Sequence, residues 1–147
     1  MSRVDFYQLS RDPVETVVPQ LAARALAAGH RLLIVADDTA LLQGLSDALW
    51  ARGGDVFLAH GMANEAHADR QPILLSADCT AANDAGIIML ADGVWREPAQ
   101  EFDRAILLFD ASATGAAREL WRTLDRQDGI DKRIHKQTPD GHWREGA

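Results

Sequence analysis

The residues best suited to chemistry lie near the carboxyl end, in a helix predicted over about residues 113–127. At about 100° per residue, Arg118 and Arg122 fall on the solvent side of that helix, and Trp121 falls at the border with the core. An aromatic ring beside guanidinium groups can bury an apolar side chain while the arginines donate charge-assisted hydrogen bonds to carboxylates. The pattern therefore fits either a receptor for a short acidic peptide or a core tryptophan beside solvated arginines.

A second candidate is the acidic pair Asp37 and Asp38, which follows the apolar run at residues 31–36. Two carboxylates at the carboxyl end of a strand can hold Mg²⁺. Because Thr39 and the leucines after it begin a helical pattern, the spacing favours helix capping. The alternative reading is a small nucleotide- or metal-dependent α/β enzyme that uses this pair.

Motifs for phosphate, zinc or nucleophilic chemistry are absent from the sequence. The first predicted strand-to-helix turn, residues 8–13, contains no glycine, whereas a dinucleotide site needs G-x-G-x-x-G there. The sequence also has no G-x-x-x-x-G-K-[ST] loop, no H-E-x-x-H pair and no G-x-S-x-G elbow. Cys79 has no neighbouring histidine that would activate it. We therefore expect no catalytic residue, no metal site and no cofactor.

Apolar runs alternate with helical patterns along the chain, which predicts an α/β fold. We expect a three-layer sandwich around a mostly parallel sheet. Asp12 is expected to cap the first helix, and Pro19 either to bend it or to mark its start. A short extended stretch is predicted at residues 56–58, a loop at 61–70 and an edge strand at 130–134. A loose tail is expected from about residue 136.

Length and composition predict a single intracellular domain over residues 1–147. No apolar run approaches the ~18–20 residues that cross a bilayer, and one cysteine cannot form an internal disulfide. We therefore expect a cytoplasmic protein without a membrane partner. The net charge of −7 disfavours direct binding to nucleic acid, because phosphates need clustered positive charge. Six of the 15 basic residues lie between Arg118 and Lys136, where an acidic partner would be attracted.

Several segments, in the same order along nearly the whole chain, resemble the chi subunit family of bacterial DNA polymerase III holoenzyme. They read VDFYQL at 4–9, RLLI at 31–34, ALW at 48–50, FLAHG at 57–61, PILL at 72–75, FDRAI at 102–106 and AARELWR at 116–122. The resemblance implies a non-catalytic accessory subunit with a nucleotide-binding-like fold that lacks the nucleotide site. It also implies two partners: the psi subunit, which tethers chi to the clamp loader, and the acidic C-terminal tail of single-stranded DNA-binding protein. Nucleic acid would then be contacted only indirectly.

The resemblance also implies where these partners bind. The tail-binding positions of the family fall on Arg118, Trp121 and Arg122. A further basic position near the start of the helix is Thr114 in this chain, and Lys132 or Arg133 are the residues expected to compensate. The segment containing Phe57 and His60 resembles a motif on the psi-facing side.

Overall fold

A computed structural model describes residues 2–51 and 58–146. Its helices and strands are β1 (Ser2–Gln8), α1 (Val14–Ala27), β2 (Leu32–Val35), α2 (Thr39–Ala51), β3 (His60–Met62), β4 (Ile73–Ser76), β5 (Ile87–Leu90), β6 (Arg104–Phe109), α3 (Thr114–Asp125), β7 (Ile130–Gln137) and β8 (Trp143–Gly146). The predicted stretch at residues 56–58 lies mostly outside the described residues. The predicted loop at 61–70 differs from the structure, because its start belongs to the short strand β3, which pairs with β4.

The strands form one sheet in the order β3-β4-β2-β5-β6-β1-β7-β8. All neighbouring strands are parallel except β7 and β8, which are antiparallel. Helices α1 and α2 pack on one face of the sheet, and α3 packs on the other. The predicted three-layer α/β sandwich around a mostly parallel sheet is therefore confirmed.

Burial of the sheet on both faces explains the continuous apolar runs of its central strands. All four residues of β2, of β4 and of β5 are buried. On β1, successive side chains point to opposite faces, so Val4 and Phe6 join the cluster beneath α3. Tyr7 and Leu9 instead join the cluster beneath α1 and α2. The side chains of β1 on the α3 face are the ones that reach the site described below.

The start of α1 differs from the prediction. Pro13 occupies the N-cap position, and Asp12 is not the cap. The Asp12 carboxylate instead accepts a hydrogen bond of 2.8 Å from the side-chain amide of Gln137, so it is turned away from the helix end. Pro19 lies inside α1 and is buried, rather than marking the start of the helix.

The carboxyl-terminal segment is more ordered than the sequence suggests. The strand expected at residues 130–134 continues as β7 beyond residue 136, and β8 covers its outer edge, so β7 is not the edge strand. The segment expected to be a loose tail thus forms a β-hairpin. Trp143 explains this order, because its ring packs against Tyr7 with centroids 5.1 Å apart. The hairpin therefore packs against the core through an aromatic contact.

Candidate peptide-binding groove

A groove of about 180 Å³ lies between α3 and the adjacent strands β1, β6 and β7. It is lined by Phe6, Gln8, Phe109, Thr114, Ala117, Arg118, Trp121, Ile134 and Lys136. An apolar cavity of roughly 150 Å³ is large enough to admit a benzene ring. The groove is therefore large enough for one apolar side chain of aromatic size.

Trp121 forms one wall of this groove and is half-buried. Its ring meets Phe6 edge-on, with centroids 5.1 Å apart and an interplanar angle of 65°. Phe6 in turn meets Phe109 at 6.4 Å and 82°. These edge-to-face contacts hold three aromatic rings in fixed relative positions and give the groove a preformed apolar surface.

Two cations stand at this groove. Arg118 is exposed on α3, and Lys136 is exposed at the end of β7. Within the described part of the chain, no carboxylate lies within 4.0 Å of either charge. A carboxylate of a bound molecule would therefore not have to displace an internal partner from either cation.

Lys132 lies against the indole of Trp121 but does not line the groove. Its ammonium is 4.2 Å from the ring centroid, a cation–π contact, and it pairs with the carboxylate of Asp125. Burial lowers the pKa of Lys132 from its ordinary value. With its charge already paired, Lys132 orients the tryptophan rather than offering a charge to a ligand.

The other two basic residues singled out from the sequence lie away from the groove. Arg122 pairs with Glu119 at 2.5 Å on the exposed side of α3. Arg133 alternates with its neighbours on β7 and so lies on the opposite face of the sheet, where it pairs with Asp131 at 3.0 Å. The structure thus brings Arg118 and Trp121 together and leaves Arg122 and Arg133 outside the groove lining.

Of the two predicted psi-facing residues, His60 lies on β3, at the far edge of the sheet. Phe57 is outside the described residues. His60 is buried, with its ring nitrogens bonded to Ser46 Oγ and to the carbonyl oxygen of Leu58, both at 2.9 Å. Its ring also packs against Trp50, which is 59% exposed at the end of α2. His60 therefore supports an exposed indole and is not itself accessible.

The acidic pair at the end of β2 is engaged within the protein. Asp38 Oδ1 accepts from the backbone N–H of Ala40 at 2.9 Å, as the prediction of helix capping requires. Asp37 pairs with Arg96 at 3.0 Å, and Arg96 also holds Asp92 at 2.8 Å. A guanidinium group thus stands where a cation would have to bind.

The turn between β1 and α1 is likewise filled by a side chain. Gln137 Oε1 accepts hydrogen bonds of 3.0–3.3 Å from the backbone N–H groups of Ser10, Arg11 and Asp12. Consecutive N–H groups of this kind bind phosphate in many nucleotide-binding folds. Here they are satisfied by an amide oxygen, which disfavours the alternative reading of a nucleotide-dependent enzyme.

No group of three or more His, Cys, Asp or Glu side chains is close enough together to hold a metal ion in residues 2–51 and 58–146. In the same residues, none of the helices has the length and apolar character needed to cross a bilayer.

Fold and site together define an α/β protein that lacks a glycine-rich phosphate loop and has an apolar groove with cations at its rim. The family model described as "DNA polymerase III chi subunit, HolC" matches residues 1–131. The DNA polymerase III subunit chi of Escherichia coli K12 is 32% identical over 80 residues, which are 50% of this chain and 54% of that protein. The chain therefore matches about half the length of this curated relative.

This protein belongs to the DNA polymerase III chi subunit family, which confirms the resemblance seen in the sequence. Members of this family are accessory subunits of a replicative polymerase and not enzymes. The expectation of a non-catalytic protein is thereby confirmed at the level of the family.

Sequence reasoning did not find every residue of the groove. Lys136 was not proposed as a ligand-binding residue, because residues from 136 were expected to lie outside the sheet. The signal was nevertheless present: Lys132, Ile134 and Lys136 alternate with residues of the other face. If β7 is extended to Gln137 and paired with β1, the alternation places all three on the face of the sheet that carries Phe6.

Proposed function

We propose that this protein is a replication accessory subunit that links the clamp loader, through the psi subunit, to the acidic C-terminal tail of single-stranded DNA-binding protein. The observation that carries the proposal is the groove in which the half-buried Trp121 and the cations Arg118 and Lys136 come together. Membership of the chi family supports the same role. The cytoplasm is the corresponding location.

The groove suits a peptide that ends in an apolar residue and carries acidic groups. Burying one large apolar side chain against Trp121 and Phe109 contributes about 1.5–3 kcal/mol. Hydrogen bonds from a charged group such as Arg118 to a carboxylate contribute about 1.5–3 kcal/mol each. Because association and the ordering of a tail offset much of this gain, we expect weak binding that is sensitive to salt.

The test is fluorescence anisotropy with a labelled peptide that carries the C-terminal tail of the host's single-stranded DNA-binding protein. Trp121→Ala and Arg118→Ala should each weaken binding at least tenfold. Arg122→Ala is the matched control, since it removes an exposed arginine of the same helix that lies outside the groove. Unchanged affinity in both groove variants would refute the assignment.

We propose that the psi subunit binds at the end of α2 and β3, where the predicted residue His60 lies; the other predicted residue, Phe57, is outside the described residues. Support comes from Trp50, a large apolar side chain that is 59% exposed and packs on His60. Trp50→Ala should reduce co-purification of the host's psi subunit with this protein. The control is Val94→Ala, which removes another exposed apolar side chain. Equal recovery of psi with both variants would argue against this surface.

Contact with DNA is proposed to be indirect, because the net charge of −7 opposes binding to phosphates. In a gel-shift assay, this protein alone should not retard single-stranded DNA. It should shift the complex of DNA with single-stranded DNA-binding protein further, and deleting the acidic tail should abolish that shift. Direct retardation of bare DNA at moderate salt would contradict the proposal.

A further inference from the structure

The C-terminal hairpin places two positive charges next to each other. Lys136 on β7 is directly opposite Arg144 on β8. Such pairs have Cβ atoms about 4.5–5.5 Å apart, and like charges in this position are destabilising. Both side chains are exposed, and neither has a carboxylate within 4.0 Å among residues 2–51 and 58–146. The hairpin thus carries an unfavourable pair that an external anion would relieve.

This pair lies on the side of the sheet that carries the groove. Lys136 itself lines the groove, together with Ile134 of the same strand. Because Arg144 is paired with Lys136 across the hairpin, its side chain is on the same face. Arg118, on α3, lines the groove with Lys136. The three unpaired cations therefore extend from the groove outward over the hairpin.

We infer that Arg118, Lys136 and Arg144 form a track that binds the acidic residues preceding the apolar C-terminal residue of a bound tail. The tail then leaves the groove over the β7–β8 hairpin. This inference rests on the proposed function. It adds the direction in which the tail leaves the groove and two residues, Lys136 and Arg144, that bind its acidic side chains. Adjacent strands are about 4.8 Å apart and an extended peptide advances about 3.3–3.6 Å per residue, so neighbouring cations match carboxylates one or two residues apart.

The charges around the rest of Trp121 explain this direction. On the side of β7 nearer its start, Lys132 is neutralised by Asp125. On the exposed side of α3, Arg122 is neutralised by Glu119 at 2.5 Å. A tail leaving in either of these directions would meet carboxylates as well as cations, whereas Lys136 and Arg144 have no carboxylate within 4.0 Å among the described residues.

The test compares two labelled peptides with the same C-terminal phenylalanine. One has four aspartates before it, and the other has four serines. Lys136→Glu and Arg144→Glu should each weaken binding of the aspartate peptide about three- to tenfold. An exposed ion pair contributes up to about 1 kcal/mol, and reversing the charge of the side chain adds repulsion. The serine peptide should bind Arg144→Glu as it binds the unmodified protein, because Arg144 does not line the groove. The control is Arg126→Glu, which makes the same change of net charge at an exposed position after α3.

A third peptide has lysines in place of the aspartates. It distinguishes an effect of charge from a change in the structure of the hairpin, because only an effect of charge has opposite signs for the acidic and the basic peptide. It should bind Lys136→Glu and Arg144→Glu more tightly than it binds the unmodified protein. Equal effects of the hairpin variants on all three peptides, or no effect on any, would overturn the inference. If Trp121→Ala alone abolishes binding, the groove is correct and the track is wrong; if the unmodified protein binds no peptide, both proposals fail.

Discussion

The ion cluster around Asp5 gives the sharpest prediction about stability. Asp5 is fully buried on β1, on the face opposite the groove. Its carboxylate accepts two hydrogen bonds from Arg3, at 2.8 and 3.0 Å, and one from Arg104 at 2.7 Å. The Nε2–H of His135 on β7 donates a fourth, at 2.8 Å. The cluster therefore joins β6, β1 and β7, the strands that form the floor of the groove.

Asp5→Asn keeps the size of the side chain but removes the charge that balances Arg3 and Arg104. Removing one partner of a buried ion pair costs about 3–5 kcal/mol. The side chains of Arg3 and Arg104 are 33% and 28% exposed, so water can partly solvate them after the change. We therefore expect a loss near the lower end of that range, about 3 kcal/mol. With an m-value of about 2 kcal/mol/M, the urea midpoint should fall by roughly 1.5 M.

The assay is urea unfolding followed by circular dichroism, with Asp131→Asn as the matched control. Asp131 pairs with Arg133 on the same face of the sheet, but both side chains are 39% exposed. Exposed pairs of this kind contribute about 0.2–1 kcal/mol, so the control should shift the midpoint by less than about 0.5 M. If Asp5→Asn and Asp131→Asn have equally small effects, burial of the Asp5 cluster does not stabilise the fold as argued.

The same cluster predicts a dependence on pH. Burial alone would raise the pKa of Asp5, but hydrogen bonds from Arg3, His135 and Arg104 outweigh it and hold the pKa below its ordinary value. The stabilisation is thus fully present above about pH 4, the unfolded value, and is lost as the pH falls through the folded value. The difference in stability between the unmodified protein and Asp5→Asn should shrink on acidification below about pH 4. A difference that grew would contradict this assignment.

Three further changes test other parts of the structure by urea unfolding. Leu45→Ala should lower the free energy of unfolding by about 2–5 kcal/mol, because Leu45 on α2 is fully buried. A loss under 1 kcal/mol would be inconsistent with that packing. Gln137→Ala leaves three N–H groups of the turn after β1 without their acceptor and should cost about 1–3 kcal/mol. Gly93→Ala should lower the free energy of unfolding by about 1–2 kcal/mol, because Gly93 has a φ of +74°, a backbone conformation that is strained for alanine. An unchanged stability would contradict this.

Features set by local sequence were predictable. A glycine directly after a helical pattern is typical of a left-handed helix end, and the φ of Gly29 is +87°. The helical spacing of Ala117 and Leu124 places both on one face of α3, and both are buried. Spacing along one element decides these features, so no knowledge of distant residues is needed.

Features set by distant partners were not predictable. Aspartate is a residue type that often caps helices. The carboxylate of Asp12 instead accepts a hydrogen bond from Gln137, which is 125 residues away. The hairpin depends on Trp143 meeting Tyr7 across the sheet. Because β7 and β8 form this hairpin, Lys136 lines the groove and does not lie in the expected loose tail. The sequence thus indicated Arg118 and Trp121 on α3 and missed the groove residues that β1, β6 and β7 contribute.

The central claim is that a peptide with an acidic, apolar-ended tail binds against Trp121. The chain has four tryptophans, so protein labelled with 5-fluorotryptophan should give four ¹⁹F resonances, and Trp121→Phe identifies one of them. Saturation with the tail peptide should shift the Trp121 resonance while those of Trp50 and Trp95 stay in place. A saturated complex in which the Trp121 resonance does not move would contradict the account.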